Sequence, residues 1–210
     1  MLKFFIFLIV VGSTLVIEAD GMRDFMLLHS KFTKLNSLKI TYKESTSYKV
    51  VDKTNSSEGT MYFMAPNLYR VESKELDVYA NEFQVWNYDK KNKQTIIQKR
   101  QPGANPMELL IFNKQFMDLY ELVSVESIKI GKHDTREYHF LKTEMAVAYP
   151  FTAIKVYIGK KKNQPVLITL EDSNQTVTRI EIKEFKENIK LERSFFEYPK
   201  NVGVEEIKMF

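Results

Sequence analysis

At 210 residues, with 44% hydrophobic, 28% charged and 13% aromatic side chains and only 7 glycines, the chain suits one globular domain and shows no repeat or low-complexity character. Its 31 basic residues against 27 acidic ones leave +4, too mild and too evenly spread for a dedicated nucleic-acid surface; the densest basic runs, Lys90–Lys93 and Lys160–Lys162, are expected as solvated loops. The absence of cysteine excludes disulfides and a thiol nucleophile.

Met1–Ala19 differs from the rest of the chain. Lys3 opens it, Phe4–Val11 is an unbroken apolar run, and small or polar residues lead to Ala19. This is the layout of a secretory signal peptide, because the apolar run is too short to cross a bilayer. Cleavage is expected near Ala19, which divides the chain into a leader, 1–19, and a single domain, 20–210. No cysteine follows the leader, so the exported product is expected to carry no lipid anchor there.

The mature chain opens with a helix expected over Arg23–Leu38. Phe25, Leu28, Phe32 and Leu35 fall three and four residues apart and form one apolar stripe. Strands follow in quick succession: Ile40–Val51, then a polar loop at Asp52–Glu58, then Thr60–Met64 and Leu68–Glu72 joined through Ala65-Pro66-Asn67. Alternation places Met61 and Phe63 on one face of this hairpin, and Tyr69 and Val71 together on one face of the returning strand. Val78–Ala80, Phe83–Asp89 and Gln94–Gln98 continue an antiparallel meander.

The rhythm breaks at Pro102–Tyr120. Asn105-Pro106-Met107-Glu108 has a capping residue, a first-turn proline and an acid three after the cap. Leu109–Phe112, Phe116, Met117, Leu119 and Tyr120 follow, so a short apolar helical insertion is expected over the sheet. Strands resume at Glu121–Ile130, Arg136–Lys142, Ala153–Gly159, Val166–Glu171 and Thr176–Phe185, with an apolar linker at Glu144–Pro150. The chain closes on Phe195, Phe196, Tyr198 and Val202–Val204. About eleven strands exceed what a flat sheet tolerates, so strong curvature is expected. The concave side is then either plugged by the protein's own helices or kept hollow for a ligand.

Catalytic chemistry is not apparent. His29, His133 and His139 match no zinc spacing. No nucleophile elbow or acid–base carboxylate pair occurs. The Asp172-Ser173-Asn174 stretch is a hairpin turn rather than a calcium loop. Methionines at 61, 64, 107, 117 and 145 suit walls that adapt to varied apolar shapes, and also suit ordinary cores. No enzyme and no cofactor are expected.

Several segments in order resemble the outer-membrane lipoprotein carrier (LolA) family. They are the first helix running to Ser37-Leu38, Gly59-x-Met61-x-Phe63-x-x-Pro66-Asn67-x-Tyr69-Arg70, Val85-Trp86-x-Tyr88-Asp89 with Gln94 after it, Pro106-x-x-Leu109-Leu110, and Phe195–Val204. The resemblance implies a mainly β (α+β) fold: a half-open, strongly curved antiparallel barrel of about eleven strands, with an N-terminal helix and short lid helices over a hydrophobic cavity. It implies a monomeric periplasmic carrier that takes the acyl chains of lipoproteins from an inner-membrane ABC transporter to an outer-membrane receptor or to that membrane itself. On this resemblance Met61, Phe63, Tyr69, Val71, Leu109 and Leu110 are expected to line the cavity, joined by Phe32, Trp86, Tyr88 and Phe112. Where the family often has an arginine before the proline to hold the lid, this chain has Ala65; Arg70 matches the second basic position of that lid contact. A same-fold envelope-stress regulator and a carrier of another lipid or glycolipid are the alternatives.

Overall fold

The structure, a computed structural model, describes residues 12–101, 116–199 and 204–209. The expected lid helix, with Leu109, Leu110 and Phe112, lies outside the described residues, as do Met1–Val11 and Val202-Gly203.

Helix α1 (Gly12–Phe32) is followed by β1 (Ser37–Tyr48), β2 (Lys53–Met64), β3 (Leu68–Ser73), β4 (Leu76–Ala80), β5 (Gln84–Asp89) and β6 (Gln94–Lys99). A single helical turn, α2 (Phe116–Leu119), precedes β7 (Tyr120–Ile130), β8 (His133–Lys142), β9 (Phe151–Gly159), β10 (Gln164–Asp172), β11 (Val177–Glu187) and β12 (Glu205–Met209). All twelve strands form one strongly curved, open sheet in the order β12-β6-β5-β4-β3-β2-β1-β11-β10-β9-β8-β7. Strand β1 is the pivot: the chain meanders away from it on one side to β6 and returns to it from the other side through β11.

Three boundaries differ from expectation. The helix ends at Phe32, a turn carries Leu35 back onto Phe32 (Leu35 N–H to Phe32 C=O, 3.1 Å), and Leu38 already belongs to β1. β-branched Ile40 and Thr41 favour the strand once Asn36 and Ser37 interrupt the helix. The stripe is correct in content, since Phe25, Leu28, Phe32 and Leu35 are all buried.

Second, the polar stretch expected as a loop is the first half of β2, paired residue by residue with β1 from Tyr48↔Lys53 to Glu44↔Ser57. Hydroxyl pairs such as Ser47–Thr54, 3.1 Å apart, replace apolar contacts there. Third, β12 was not expected: its five residues are all exposed, and it pairs parallel with β6, from Glu205↔Gln94 to Met209↔Gln98. The sheet is therefore antiparallel except at this edge.

The core sits on the concave face. Over β7–β11, α1 and α2 fill it. Phe25 packs against Phe140 and Tyr138 at ring-centroid distances of 4.6 and 5.1 Å, and Phe116 lies 5.0 Å from Phe140 and 5.3 Å from Tyr120. Gly21 lets α1 approach the sheet: a Cβ there would stand 2.5 Å from a Val125 methyl. The Glu144–Pro150 linker contributes Ala146 to this core but leaves Met145 and Val147 in solvent.

Candidate ligand hollow on the concave face

Over β2–β5 the same face is not filled by α1 or α2. A hollow of about 320 Å³ opens there, lined by Tyr42, Met61, Tyr69, Val71, Val78, Val85 and Ile180, with Glu44, Ser57, Ser73, Leu76, Asn87, Gln98 and Gln101 also on its wall. Such a volume is at the lower end of small-ligand sites. Strand register assembles the wall: Met61 stands opposite Val71, which stands opposite Val78, while Phe63 stands opposite Tyr69, then Ala80, then Val85. Period-2 alternation sends every one of these to the concave side.

The hollow has one polar corner. Burial pushes the Tyr42 phenol up to about 12, with the Glu44 carboxylate beside it adding to the rise. Burial likewise holds the Glu44 carboxyl above its ordinary 4.5, partly opposed by a hydrogen bond from Thr46. Gly59 makes room for the phenol, since a Cβ there would stand 2.9 Å from Tyr42 Oη.

The residues expected to line the cavity divide into four groups. Met61, Tyr69 and Val71 are on the hollow's wall. Phe63 and Phe32 are on the concave side but in the packed core, Phe32 with its ring 5.6 Å from Phe185. Trp86 and Tyr88 go to the opposite face. Trp86 pairs with Tyr79 and Ile97, and Tyr88 with Asp77 and Thr95, one residue out of step with the concave row. Leu109, Leu110 and Phe112 are among the residues not described.

Arg70 also faces outward, on the side of the sheet opposite the hollow. Its guanidinium lies 4.8 Å from the Tyr79 ring centroid and 4.4 Å from that of Phe195, donates to Phe195 C=O at 3.0 Å, and pairs with Glu72 at 2.7 Å. Alternation opposite Tyr62 forces this direction. Arg70 thus clamps the segment 193–198 onto the convex face. Tyr198 continues the clamp with a hydroxyl contact to Thr95 at 2.7 Å and a stacked ring 6.3 Å from Trp86. Ala65 is exposed in the β2–β3 turn, its N–H given to Asn36 C=O at 2.9 Å. Arg70→Ala is expected to lower stability by about 2 kcal/mol, the sum of a charged hydrogen bond and stacked-ring contacts. Limited proteolysis is expected to cut faster near 193–198 in that variant.

Residues missed by sequence reasoning are Tyr42, Val78, Val85 and Ile180; Val78 stands opposite Val71, and Val85 follows Ala80 in the row of Tyr69. The alternation of Ile180 with Arg179 and Glu181 was a usable signal; the side of the sheet was not. Among the described residues, no three of His, Asp and Glu converge on a metal-sized site, and no helix is long and apolar enough to cross a membrane. The arrangement can shelter an apolar chain.

Comparison with known proteins bears on the fold. Residues 33–199 match the family model described as "Outer membrane lipoprotein carrier protein LolA". An uncharacterized conserved protein from Thermus thermophilus superposes with a TM-score of 0.57 at 15% identity, covering 90% of this chain and 99% of that one. A DUF1329 family protein from Desulfovibrio piger gives 0.51 at 10% identity, covering 86% and 98%. A LolA superfamily protein from Nitrosomonas europaea gives 0.48 at 11% identity, covering 84% and 97%. No curated protein sequence matches. At such identities the first two structures speak to the fold alone.

Proposed function

Since this chain belongs to the outer-membrane lipoprotein carrier family by a match over residues 33–199, we propose that it carries lipoprotein acyl chains in the concave hollow and moves them from the inner to the outer membrane. The observation that carries this reading is the apolar wall of Met61, Tyr69, Val71, Val78 and Val85, left open by the helices that plug the other half of the same face. A buried methylene gains about 0.8 kcal/mol, so a multi-chain lipid stays insoluble without a container of this kind. The sequence contains no phosphate-binding loop, so the energy for extraction comes from an upstream partner, an inner-membrane ABC transporter of the lipoprotein-releasing type. Delivery is to an outer-membrane receptor or to the membrane.

Leu109, Leu110 and Phe112 complete the container in this proposal: the stretch that holds them joins Gln101 on the hollow's wall to Phe116 in the packed half. The protein works in the periplasm after removal of residues 1–19. Such a cut would spare Gly21 and the buried residues of α1 whose side chains are described, Phe25, Leu28, His29 and Phe32, and N-terminal sequencing of the exported protein tests it.

Two measurements test the function. Organic extraction of the purified protein, followed by mass spectrometry, is expected to release acyl lipid that the protein does not hydrolyse. Depletion in the native cell is expected to strand lipoproteins on the inner membrane; their normal distribution would instead favour a regulator of the same fold.

Glu44 makes the uptake pH-dependent. A ligand that displaces water from this corner raises the Glu44 carboxyl further, so acyl affinity is expected to be highest at acidic pH and to fall as pH rises above the already raised value of the empty protein. Stability of the empty protein follows the same sign, because the folded state holds the proton longer than the unfolded one. Glu44→Gln is expected to flatten the affinity profile in a fluorescent fatty-acid titration.

A further inference from the structure

Strands β10 and β11 do not stay paired along their whole length. Their ladder runs from Glu171↔Val177 to Leu167↔Glu181 and stops, although β11 continues to Glu187 and β10 begins at Gln164. Pro165, without an amide hydrogen to donate, lies at this end of β10, next to a register irregularity in its pairing with β9. The result is a notch of about 1010 Å³ beside Ile182–Lys186. On its other side β11 is paired with β1.

The notch is two-sided in chemistry. Ile182 and Phe185 belong to the margin of the apolar core. Six lysines line the notch against two carboxylates, Asp134 and Glu184. Glu184 is already engaged by Lys39 and Lys186 at 2.9 and 2.7 Å, and Lys183 by Glu181 at 2.7 Å. Lys132, Lys161 and Lys162 have no acidic partner among the described residues, and all three are exposed.

We propose that this notch binds an extended acidic segment of a partner protein, which pairs its backbone with the open edge at Ile182–Lys186 and sets its carboxylates among Lys132, Lys161 and Lys162. An unpaired strand edge offers a row of backbone donors and acceptors, the usual basis of strand addition. The apolar side chains of such a segment would meet Ile182 and Phe185, and its acidic ones the lysines, so alternation of apolar and acidic residues is the matching pattern. The lysines line a recess, whereas a bilayer presents a broad surface; the shape therefore favours an inserted chain over lipid headgroups.

The test uses the full chain and a short labelled peptide alternating valine and glutamate, read by fluorescence anisotropy. Binding is expected, weakened at least about tenfold by Lys132→Glu, Lys161→Glu and Lys162→Glu together and by raised salt. Uptake of a fatty-acid probe in the hollow is expected to be unchanged in that variant, so failure here is separable from failure of the carrier reading. A peptide of the same sequence with alternate backbone amides methylated is expected not to bind. Equal binding of the methylated peptide, or of a valine–lysine peptide, would overturn the proposal. So would binding to phosphatidylglycerol vesicles in place of the peptide, which would make the surface a membrane contact. Binding to neither would overturn it as well, and would make the lysines guards of an exposed edge.

Discussion

Val71→Asp is expected to abolish acyl-chain uptake while the protein stays folded. Val71 is half-buried on the hollow's wall, opposite Met61 on one strand and Val78 on the next. In the empty protein a carboxylate there is hydrated through the open hollow, so the fold tolerates it. Beneath an acyl chain it has lost its water, and no cation is among the described residues lining the hollow, so the cost of burying it is several kcal/mol. Affinity is expected to fall by roughly a hundredfold or more, at about 1.4 kcal/mol per decade. Displacement of a fluorescent fatty acid measures this, with far-UV circular dichroism as the folding control. Val78→Phe tests the same space differently, by filling it with an apolar ring that competes with the ligand. Trp86→Asp, on the opposite face, is expected to leave uptake unaltered. If Val71→Asp bound acyl chains normally and Trp86→Asp did not, the ligand site would be the outer cavity of about 510 Å³ between Trp86, Ile97 and the 193–198 segment.

Phe116→Ala is expected to give the largest loss of stability of any single change in the packed half. The ring is fully buried and touches Phe25, His29, Tyr120 and Phe140. Truncating a buried phenylalanine costs about 3–5 kcal/mol, through lost transfer energy and the cavity left behind. A fall in Tm of roughly 10 °C or more follows for a domain of this size. Met145→Ala is the contrast: the side chain is 74% exposed, and the change is expected within about 0.5 kcal/mol. A Phe116→Ala protein that melted like the parent would mean that α2 is not part of the cooperative core.

The elements most legible in the sequence were those whose side chains obey a local period. Phe25, Leu28, Phe32 and Leu35 declared a helix face, and Met61 with Phe63 and Tyr69 with Val71 declared the two concave rows, because period 3.6 and period 2 act over a few residues. Less legible was the first half of β2, whose serines and threonines look like a loop until β1 lies beside them. Strand β12 carried no signal at all, being exposed throughout and paired in parallel with a strand about a hundred residues earlier in the chain.

The division between the two kinds of information falls at the face of the sheet. The chain's own pattern determined that Trp86 and Tyr88 share a side, that Arg70 opposes Tyr69 and Val71, and that a family-like curved sheet would present one oily surface. Which side each strand turns inward was settled only by the ladder Phe63–Tyr69–Ala80–Val85 and its neighbour Tyr62–Arg70–Tyr79–Trp86. Among the described residues, which part of the oily surface is filled depended on where α1 comes to rest, which is over β7–β11 and not over β2–β5. The physical reason is that alternation is a local steric property of the backbone. Register and docking are sums over distant contacts, and a shift of a single residue would exchange the two faces.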